Sequence, residues 1–402
     1  MPTKIDYIRK TLLGLYILSL PLSTAANNIL FGLIILFWLI LGDKKDTWQK
    51  IKNPLVIAFY VLYATFILSL LWSENVHQGL LILKKEGFYL ALPIFMSLMK
   101  KEEIEFYLKS FLIAMFISEV SSYLVFFKIV PPFLHATQYD PVPYMGPTGH
   151  ISYNPMLVLS IFLLLYFFFK KGGNLILKTL SAIFILTMTI NLFITGGRAG
   201  QVAFFFILIL ALMQFLKPNF KSIFLVFFSV SAIFFIAYKG STIFHERVNV
   251  AIENVQNYKQ NQNTSVGMRL ATWENSLRLI KDHPILGAGV GDFYKDVQGY
   301  GKVYTPKAHL LSQPHNMYIF TWAHSGIFAF LALIAIFIIE LKGYFIINDK
   351  YKSIRLILSA LFIIIMFSES YLSVHYTKIL FIFFSAMLYK DLTFNKLKKD
   401  NS

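Results

Sequence analysis

Apolar segments recur from one end of this chain to the other, and most are long enough to cross a lipid bilayer. A helix needs about 20 apolar residues to span about 30 Å of hydrocarbon. The composition agrees, because 56% of the residues are hydrophobic and 14% are charged, whereas a soluble domain averages about a quarter charged residues. The sequence therefore predicts an all-α, polytopic integral membrane protein and excludes an ordinary soluble enzyme.

We predict twelve spans, near residues 10 to 23, 27 to 41, 54 to 72, 79 to 99, 104 to 127, 151 to 169, 174 to 195, 199 to 216, 219 to 238, 315 to 341, 353 to 369 and 372 to 390. Pro21 and the polar run 23 to 28 divide the first two. A single kinked helix is one alternative for this region. A signal peptide that is cleaved after about residue 26 is another.

Basic residues predict the orientation, because Lys and Arg accumulate in short cytoplasmic segments. With both termini inside, the predicted inner segments hold 22 of the 37 basic residues. Merging the first two spans would place Lys4, Arg9 and Lys10 outside, so two spans are favoured. The net charge of +16 then anchors the protein to anionic membrane lipid, and nucleic acid is not an expected partner.

Two predicted outer segments are too long to be turns. Residues 128 to 150 are rich in Pro, Tyr and His and suit an extended loop. Residues 240 to 313 carry eight basic and six acidic residues, and this balance indicates a folded, solvated subdomain. We therefore divide the chain into nine spans (1 to 239), an outer loop subdomain (240 to 313), and three spans with a cytoplasmic tail (314 to 402).

An amphipathic helix is predicted in the large loop over residues 266 to 282, where His283-Pro284 ends it. Arg269 shares a face with Trp273, while Arg278 lies on the opposite face one turn after Glu274. Arg278 therefore has a surface ion-pair partner, and Arg269 has none on its own face. The glycines at 287, 289 and 291 are predicted to form a tight turn, since no strand precedes them as in a dinucleotide site.

Arg198 is a candidate phosphate ligand, because it stands in the Gly-Gly-Arg-Ala-Gly turn that opens the eighth span. Glycines allow close backbone approach, and a helix N-terminus presents unpaired N–H groups with partial positive charge. An arginine adds bidentate hydrogen bonds to phosphoryl oxygens. The alternative is a membrane-interface arginine that only anchors the helix end.

His315 is a candidate general base, because it opens the tenth span at the water-lipid boundary. We expect Ser312 to cap this helix and Pro314 to occupy its first turn. The positive helix end disfavours imidazolium, so a neutral ring could accept a proton from a hydroxyl group. A capping or interfacial histidine is the alternative, and His324 is expected only to pack.

Charged residues inside other predicted spans usually pair or line a cavity. Lys84, Lys85 and Glu86 lie about two turns into the fourth span and are expected either to pair with one another or to form a groove for an anionic headgroup. Glu119 and Glu369 lie near the outer ends of their spans and are candidate partners for the basic residues there.

The chain has no cysteine, which excludes disulfides, thiolate metal sites and cysteine nucleophiles. No H-x-x-x-H motif occurs, and the predicted outer segments contain no Asp-x-Asp pair. We therefore predict no metal and no cofactor. The missing acidic pair weakens any mechanism in which a divalent metal ion holds a diphosphate.

These features together resemble the bacterial O-antigen ligase and polymerase superfamily. The resemblance depends on twelve spans, the Gly-Gly-Arg-Ala-Gly turn, and a large loop before the tenth span. It also depends on three motifs within or after that loop: Met268-Arg269-Leu270-Ala271-Thr272-Trp273, the run from His283 to Gly289, and Pro314-His315-Asn316 followed by Gly326.

The resemblance implies an enzyme of the bacterial inner membrane that works at the periplasmic face. It would transfer an undecaprenyl-diphosphate-linked glycan to an acceptor hydroxyl, with Arg198 and Arg269 holding the diphosphate and His315 serving as the base. A ligase, which uses lipid A core as acceptor and inverts the anomeric carbon, is favoured by the one dominant outer loop. A polymerase, a protein O-oligosaccharyltransferase and a lipid-linked glycan transporter are the alternatives.

Overall fold

The computed structural model describes residues 3–131, 149–170, 174–215 and 219–398, and this part of the chain is helical and contains no strand. The predicted outer segment 128 to 150 lies mostly outside the described residues. The helices are α1 (Lys4–Ser19), α2 (Thr24–Leu41), α3 (Lys44–Ile51), α4 (Pro54–Ser69), α5 (Val76–Glu86), α6 (Leu92–Leu98), α7 (Ile104–Phe126), α8 (His150–Phe169), α9 (Leu175–Ile194), α10 (Arg198–Phe215), α11 (Phe220–Gly240), α12 (Thr242–Gln256), α13 (Ser265–Asp282), α14 (Phe293–Tyr304), α15 (Met317–Ile346), α16 (Lys352–Ile365), α17 (His375–Tyr389) and α18 (Phe394–Lys398).

A helix or a broken helix occupies each predicted span. Seven helical segments of the described chain are long and apolar enough to cross a membrane, and the chain is therefore a multi-pass membrane protein. These seven contain α2, α4, α7, α8, α9, α11 and α15. The count of twelve spans stays a prediction, because α1, α16 and α17 have only 16, 14 and 15 residues.

The first apolar stretch forms two helices, as predicted. α1 ends at Ser19, and Ser23 caps α2 by accepting a hydrogen bond from the amide of Ala26. The Asn27 side chain donates to the carbonyl of Tyr16 and to the hydroxyl of Ser19. These bonds satisfy polar groups at the turn between the helices, where buried unpaired groups would be costly.

The fourth span is not one helix, contrary to our prediction. α5 ends at Glu86, a 3-10 segment covers Gly87–Ala91, and α6 contains Pro93 in its first turn. Proline has no amide hydrogen and cannot continue the helical ladder. The ammonium of Lys378 on α17 lies 2.7 Å from the Lys85 carbonyl at this break.

Glu86 therefore has a partner that the sequence did not indicate. Its carboxylate accepts a hydrogen bond of 2.9 Å from Lys378, and both side chains are buried. Lys84 and Lys85 are exposed. The expectation that these three neighbours pair with one another is wrong, because the tertiary contact with α17 supplies a desolvated cation for Glu86.

Ion pairs gather several predicted cytoplasmic segments at one end of the helix bundle. Arg9 binds Glu103 at 2.7 Å, and Arg355 binds Asp349 at 2.8 Å. Glu105 accepts hydrogen bonds from both Lys170 and Lys350. This clustering agrees with the alternating path of the chain that the basic residues predicted. Which end faces the cytoplasm stays a prediction.

The large loop folds into α12, α13 and α14. Its small apolar core includes Ala271 and Leu279 of α13, Phe293 and Val297 of α14, and Ala323 of α15. The predicted helix 266 to 282 is confirmed as α13, which begins one residue earlier. α15 therefore contributes to the packing of this loop as well as to the bundle core.

The glycine-containing turn that follows α13 packs against a kink in α15. Ser325 and Gly326 leave helical geometry, and Gly326 has φ of +79°. The amides of Ala288 and Gly289 donate to the carbonyls of Ala323 and His324 at 2.8 and 3.1 Å. A Cβ at position 326 would lie 1.9 Å from the Ile285 carbonyl oxygen. Glycine is therefore required where these two backbones meet.

Asp292 fixes the same turn to the segment between α4 and α5. Its carboxylate accepts hydrogen bonds from the Ser73 hydroxyl at 2.7 Å and from the amides of Glu74 and Asn75 at 2.7 and 2.8 Å. Asp292 is buried, and three donors satisfy it without a cation. The loop is thus attached to the bundle at two separate points.

Candidate active site

Arg198 begins α10 at a close contact between α8 and α10. A Cβ on Gly197 or Gly200 would lie 2.5 Å from atoms of Asn154 on α8, so the glycines permit this approach. The Asn154 side chain also donates to the Gly197 carbonyl. Arg198 is half-buried, and its guanidinium donates to the hydroxyl of Ser265, the first residue of α13, at 2.9 Å.

α13 carries three functional features on successive turns. Thr264 caps it by accepting a hydrogen bond from the amide of Gly267. Arg269 lies one turn after Ser265, and Trp273 lies one turn further, where its indole N–H donates to the Pro314 carbonyl. The predicted shared face of Arg269 and Trp273 is therefore turned toward the segment that carries His315.

The opposite face of α13 has the expected surface ion pair. Arg278 donates to Glu274 at 3.0 Å, four residues earlier. The arginines on the two faces of this helix thus differ in their contacts. Within the described part of the chain, Arg269 has neither an ion-pair partner nor a hydrogen-bond partner.

Arg198 and Arg269 line one cavity of about 230 Å³, and Arg247 of α12 lines it as well. Other lining residues include Ser265, Glu369 and Tyr371. The charges of Arg269 and Arg247 act on Arg198 as repulsive neighbours. Among the described residues that line this small space, three guanidiniums face one carboxylate, so the lining carries excess positive charge and suits a multiply charged anion.

Arg247 is a site residue that our sequence reasoning missed. It counted only as one of eight basic residues in the large loop. A signal was nevertheless present, since no acidic residue stands three or four positions before or after it. The same absence distinguished Arg269. An unpartnered arginine on a loop helix is thus the common sequence feature of both.

His315 precedes α15 and does not belong to it, which corrects our expectation. Asn316 is the N-cap, and its side chain accepts hydrogen bonds from the amides of Tyr318 and Ile319 at 3.1 Å each. Asn316 supplies the cap that we had assigned to Ser312. His315 has φ of +50°, an uncommon conformation for a non-glycine residue that clusters at functional sites.

Glu369 holds His315 in a defined orientation. Its Oε2 is hydrogen-bonded to Nδ1 of His315, while Oε1 accepts from Gln313 at 3.1 Å and from the amide of Ser370 at 2.8 Å. The Glu369 side chain is 3% exposed and that of His315 is 20% exposed. A carboxylate at Nδ1 favours the tautomer whose Nε2 is free to accept a proton.

The other candidate residues lie outside this constellation. Glu119 is buried in α7 and is absent from the cavity lining. His324 is buried in α15 and packs against the rings of Phe66 and Phe320 at 5.6 and 5.0 Å. The prediction of a packing role for His324 is confirmed. Glu369, one of the two acids predicted as partners, is hydrogen-bonded to the predicted base.

The comparisons with known proteins concern this same region. Residues 183–334 match the family model described as O-antigen ligase. The match covers 152 of the 402 residues, and it supports membership of the O-antigen ligase and polymerase superfamily. The matched segment contains Arg198, Arg247, Arg269 and His315, whereas Glu369 lies beyond it. The chain is also similar to an uncharacterised protein of Haemophilus influenzae, with 27% identity over 355 residues that cover 84% of each protein.

Proposed function

We propose that this superfamily member is an O-antigen ligase. It transfers a glycan from an undecaprenyl-diphosphate carrier to a hydroxyl group of lipid A core, at the periplasmic face of the bacterial inner membrane. The observation that carries the proposal is one cavity in which three arginines meet Glu369, the residue that orients His315. An anion site beside an oriented base is what this transfer needs.

The arginines bind the diphosphate of the donor. Arg247 and Arg269 have no hydrogen-bond or ion-pair partner within the described residues, so both are free to receive phosphoryl oxygens. Guanidiniums match phosphate oxygens bidentately, and a partly buried cavity strengthens these bonds. As the bond between the sugar and the diphosphate breaks, negative charge grows on the leaving oxygen, and the arginines stabilise that charge.

His315 accepts the proton of the acceptor hydroxyl. The acceptor oxygen forms a bond to the anomeric carbon, the bond from that carbon to the diphosphate oxygen breaks, and the proton moves to Nε2. Attack opposite the leaving group inverts the anomeric carbon. Glu369 keeps Nδ1–H directed toward itself and stabilises the imidazolium that results.

A ligase is favoured over a polymerase because the chain has one dominant loop subdomain between its predicted spans. The two enzymes differ in the acceptor, which is lipid A core for a ligase and a second lipid-linked glycan for a polymerase. A lipid-linked glycan transporter would need no base beside its anion site. The His315–Glu369 pair therefore favours transfer over transport.

Deletion of the gene in its native bacterium tests the proposal. The ligase account expects lipopolysaccharide with bare core, together with glycan that accumulates on undecaprenyl diphosphate. Core that carries one repeat unit would identify a polymerase. A transporter would be identified if lipid-linked glycan were lost from the periplasmic leaflet and retained in the cytoplasmic leaflet. Complementation by His315→Ala must fail while the protein level stays normal.

A further inference from the structure

A second concave surface lies on the loop subdomain, away from the arginine cavity. This groove, of about 780 Å³, is lined by residues of four segments: the turn after α4, the C-terminal part of α13, the turn that follows it, and α14. Leu279 lines the groove and Arg269 lines the arginine cavity, so about 15 Å of α13 separates the two, at 1.5 Å per residue.

The groove combines aromatic rings with acidic oxygens. Trp72, Tyr300 and Tyr304 line it. The ring centres of Tyr300 and Tyr304 lie 6.3 Å apart, and the two ring planes differ by 18°. The guanidinium of Arg278 lies 3.9 Å from the centre of the Tyr304 ring. Tyr304 is 49% exposed, so an incoming molecule can reach the aromatic surface. Flat aromatic faces carry partial negative charge and attract the C–H groups of a sugar ring.

Asp296 adds an acceptor that no group of the described chain uses. It lines the groove, and its carboxylate has no hydrogen-bond or ion-pair partner among the described residues. Burial, together with the neighbouring charge of Asp292, raises the pKa of Asp296. The adjacent pair of Lys295 and Glu74 is neutral in sum. The described lining therefore holds two carboxylates, one ammonium group and the imidazole of His283, and it lacks the excess positive charge of the arginine cavity.

We propose that this groove binds an oligosaccharide, with sugar rings against Tyr300 and Tyr304 and sugar hydroxyls donating to Asp296. A site with aromatic walls and a few polar groups suits an uncharged glycan. Its lining has no excess positive charge to attract an anionic lipid headgroup. The inference rests on the proposed function for its role, since a glycan bound here would extend along α13 toward the arginine cavity. Either the donor glycan or the core of the acceptor could supply it.

Binding of free oligosaccharides to the purified full chain in detergent tests the groove without any transfer step. Saturation-transfer-difference NMR titrations would use two probes: the repeat-unit oligosaccharide, which represents the donor, and deacylated core oligosaccharide, which represents the acceptor. We expect saturable binding of one of them, and the probe that binds identifies the source. Tyr304→Ala and Asp296→Asn should each weaken it about tenfold, as loss of an ordinary stacking or hydrogen-bond contact does.

Tyr294→Ala is the matched control, because Tyr294 is half exposed on the same helix and lies outside the groove. Tyr294→Ala should bind the glycan as tightly as the unaltered protein does. Tyr304→Ala, Asp296→Asn and Tyr294→Ala should all unfold at the same midpoint temperature as the unaltered protein. Absence of binding by both glycans, or equal affinity in Tyr304→Ala, would overturn the inference. Displacement of the glycan by a short-chain phosphatidylglycerol would also overturn it, since the groove would then be a lipid site.

The two proposals fail separately. His315→Ala should slow transfer by roughly 10²–10⁴-fold and leave oligosaccharide binding unchanged, which would support the groove as a binding site distinct from the base. If the unaltered protein transfers glycan but binds no free oligosaccharide, the groove inference alone is wrong. If it binds oligosaccharide through Tyr304 but transfers nothing, the proposed ligase activity alone is wrong.

Discussion

The carboxylate of Glu369 is hydrogen-bonded to Nδ1 of His315 across 54 residues of sequence. The pair joins the segment before α15 to the turn between α16 and α17. Gln313 and the Ser370 amide fix the second carboxylate oxygen, so the orientation of the imidazole is determined on both sides. This arrangement makes Glu369 the residue on which the proposed base depends.

Loss of the Glu369 charge should slow the chemical step. We expect Glu369→Gln to lower kcat by roughly 10²-fold or more, the range of a general acid-base contribution, with little change in KM for the donor. Steady-state kinetics with a lipid-linked donor measure both constants. Glu102→Gln is the control, because Glu102 is exposed and lies in a predicted inner segment. A kcat for Glu369→Gln that equals the control would exclude this positioning role.

Each arginine of the cavity should contribute to donor use. We expect Arg198→Ala, Arg247→Ala and Arg269→Ala to lower kcat/KM for the donor by about 10²–10³-fold, as loss of one charge-stabilising donor does. Lysine at these positions should restore only part of the activity, since it lacks the bidentate geometry. Lys281→Ala on the exposed part of α13 is the control. An Arg247→Ala variant with normal kinetics would remove Arg247 from the site.

Gly326→Ala should destabilise the contact between the large loop and α15. The added Cβ would lie 1.9 Å from the Ile285 carbonyl oxygen, and φ is +79°. Backbone strain of this kind costs about 1–3 kcal/mol, so the thermal unfolding midpoint in detergent should fall. Gly32→Ala is the matched control, because nothing lies within 4 Å of its Cβ position. Equal midpoints for the two variants would show that the backbones do not meet there.

Glu86 and Lys378 form a buried ion pair, and each charge should stabilise the fold only while the other is present. Removing one partner from a buried ion pair costs about 3–5 kcal/mol, because the remaining charge stays desolvated. We therefore expect Glu86→Gln and Lys378→Met each to lower the unfolding midpoint strongly, and the double variant to recover much of the loss. Additive losses in the double variant would contradict the pairing.

Transfer should not require a divalent cation. The three guanidiniums supply the positive charge that a metal ion provides in other diphosphate sites. We expect the initial rate of transfer to be unchanged after incubation with excess EDTA and dialysis. A rate that falls strongly and returns on addition of Mg²⁺ or Mn²⁺ would refute this prediction.

The sequence predicted features that depend on local pattern. Hydropathy located the helices, and 3.6-residue periodicity placed Arg269 and Trp273 on one face of α13. Arg198 and Arg269 come together in the structure because both stand at the predicted outer end of the bundle. These inferences needed only the helical period and the alternation of the chain across a bilayer.

Tertiary contacts explain what the sequence did not predict. The partner of Glu86 is Lys378, which is close to it only after α17 packs against α6. Glu119 and Glu369 were equal candidates from the sequence, and only the fold shows that Glu369 lies beside His315. Ser312 and Asn316 are both good N-cap residues, and pattern alone did not decide between them.

The most direct test of the account is glycan transfer by the purified protein. The assay would combine undecaprenyl-diphosphate-linked glycan, lipid A core acceptor and the protein in detergent, with the products separated by mass. We expect glycan linked to lipid A core, release of undecaprenyl diphosphate, and a rate reduced by roughly 10²–10⁴-fold in His315→Ala. Transfer at the unaltered rate by His315→Ala, or no transfer by the unaltered protein, would contradict the account.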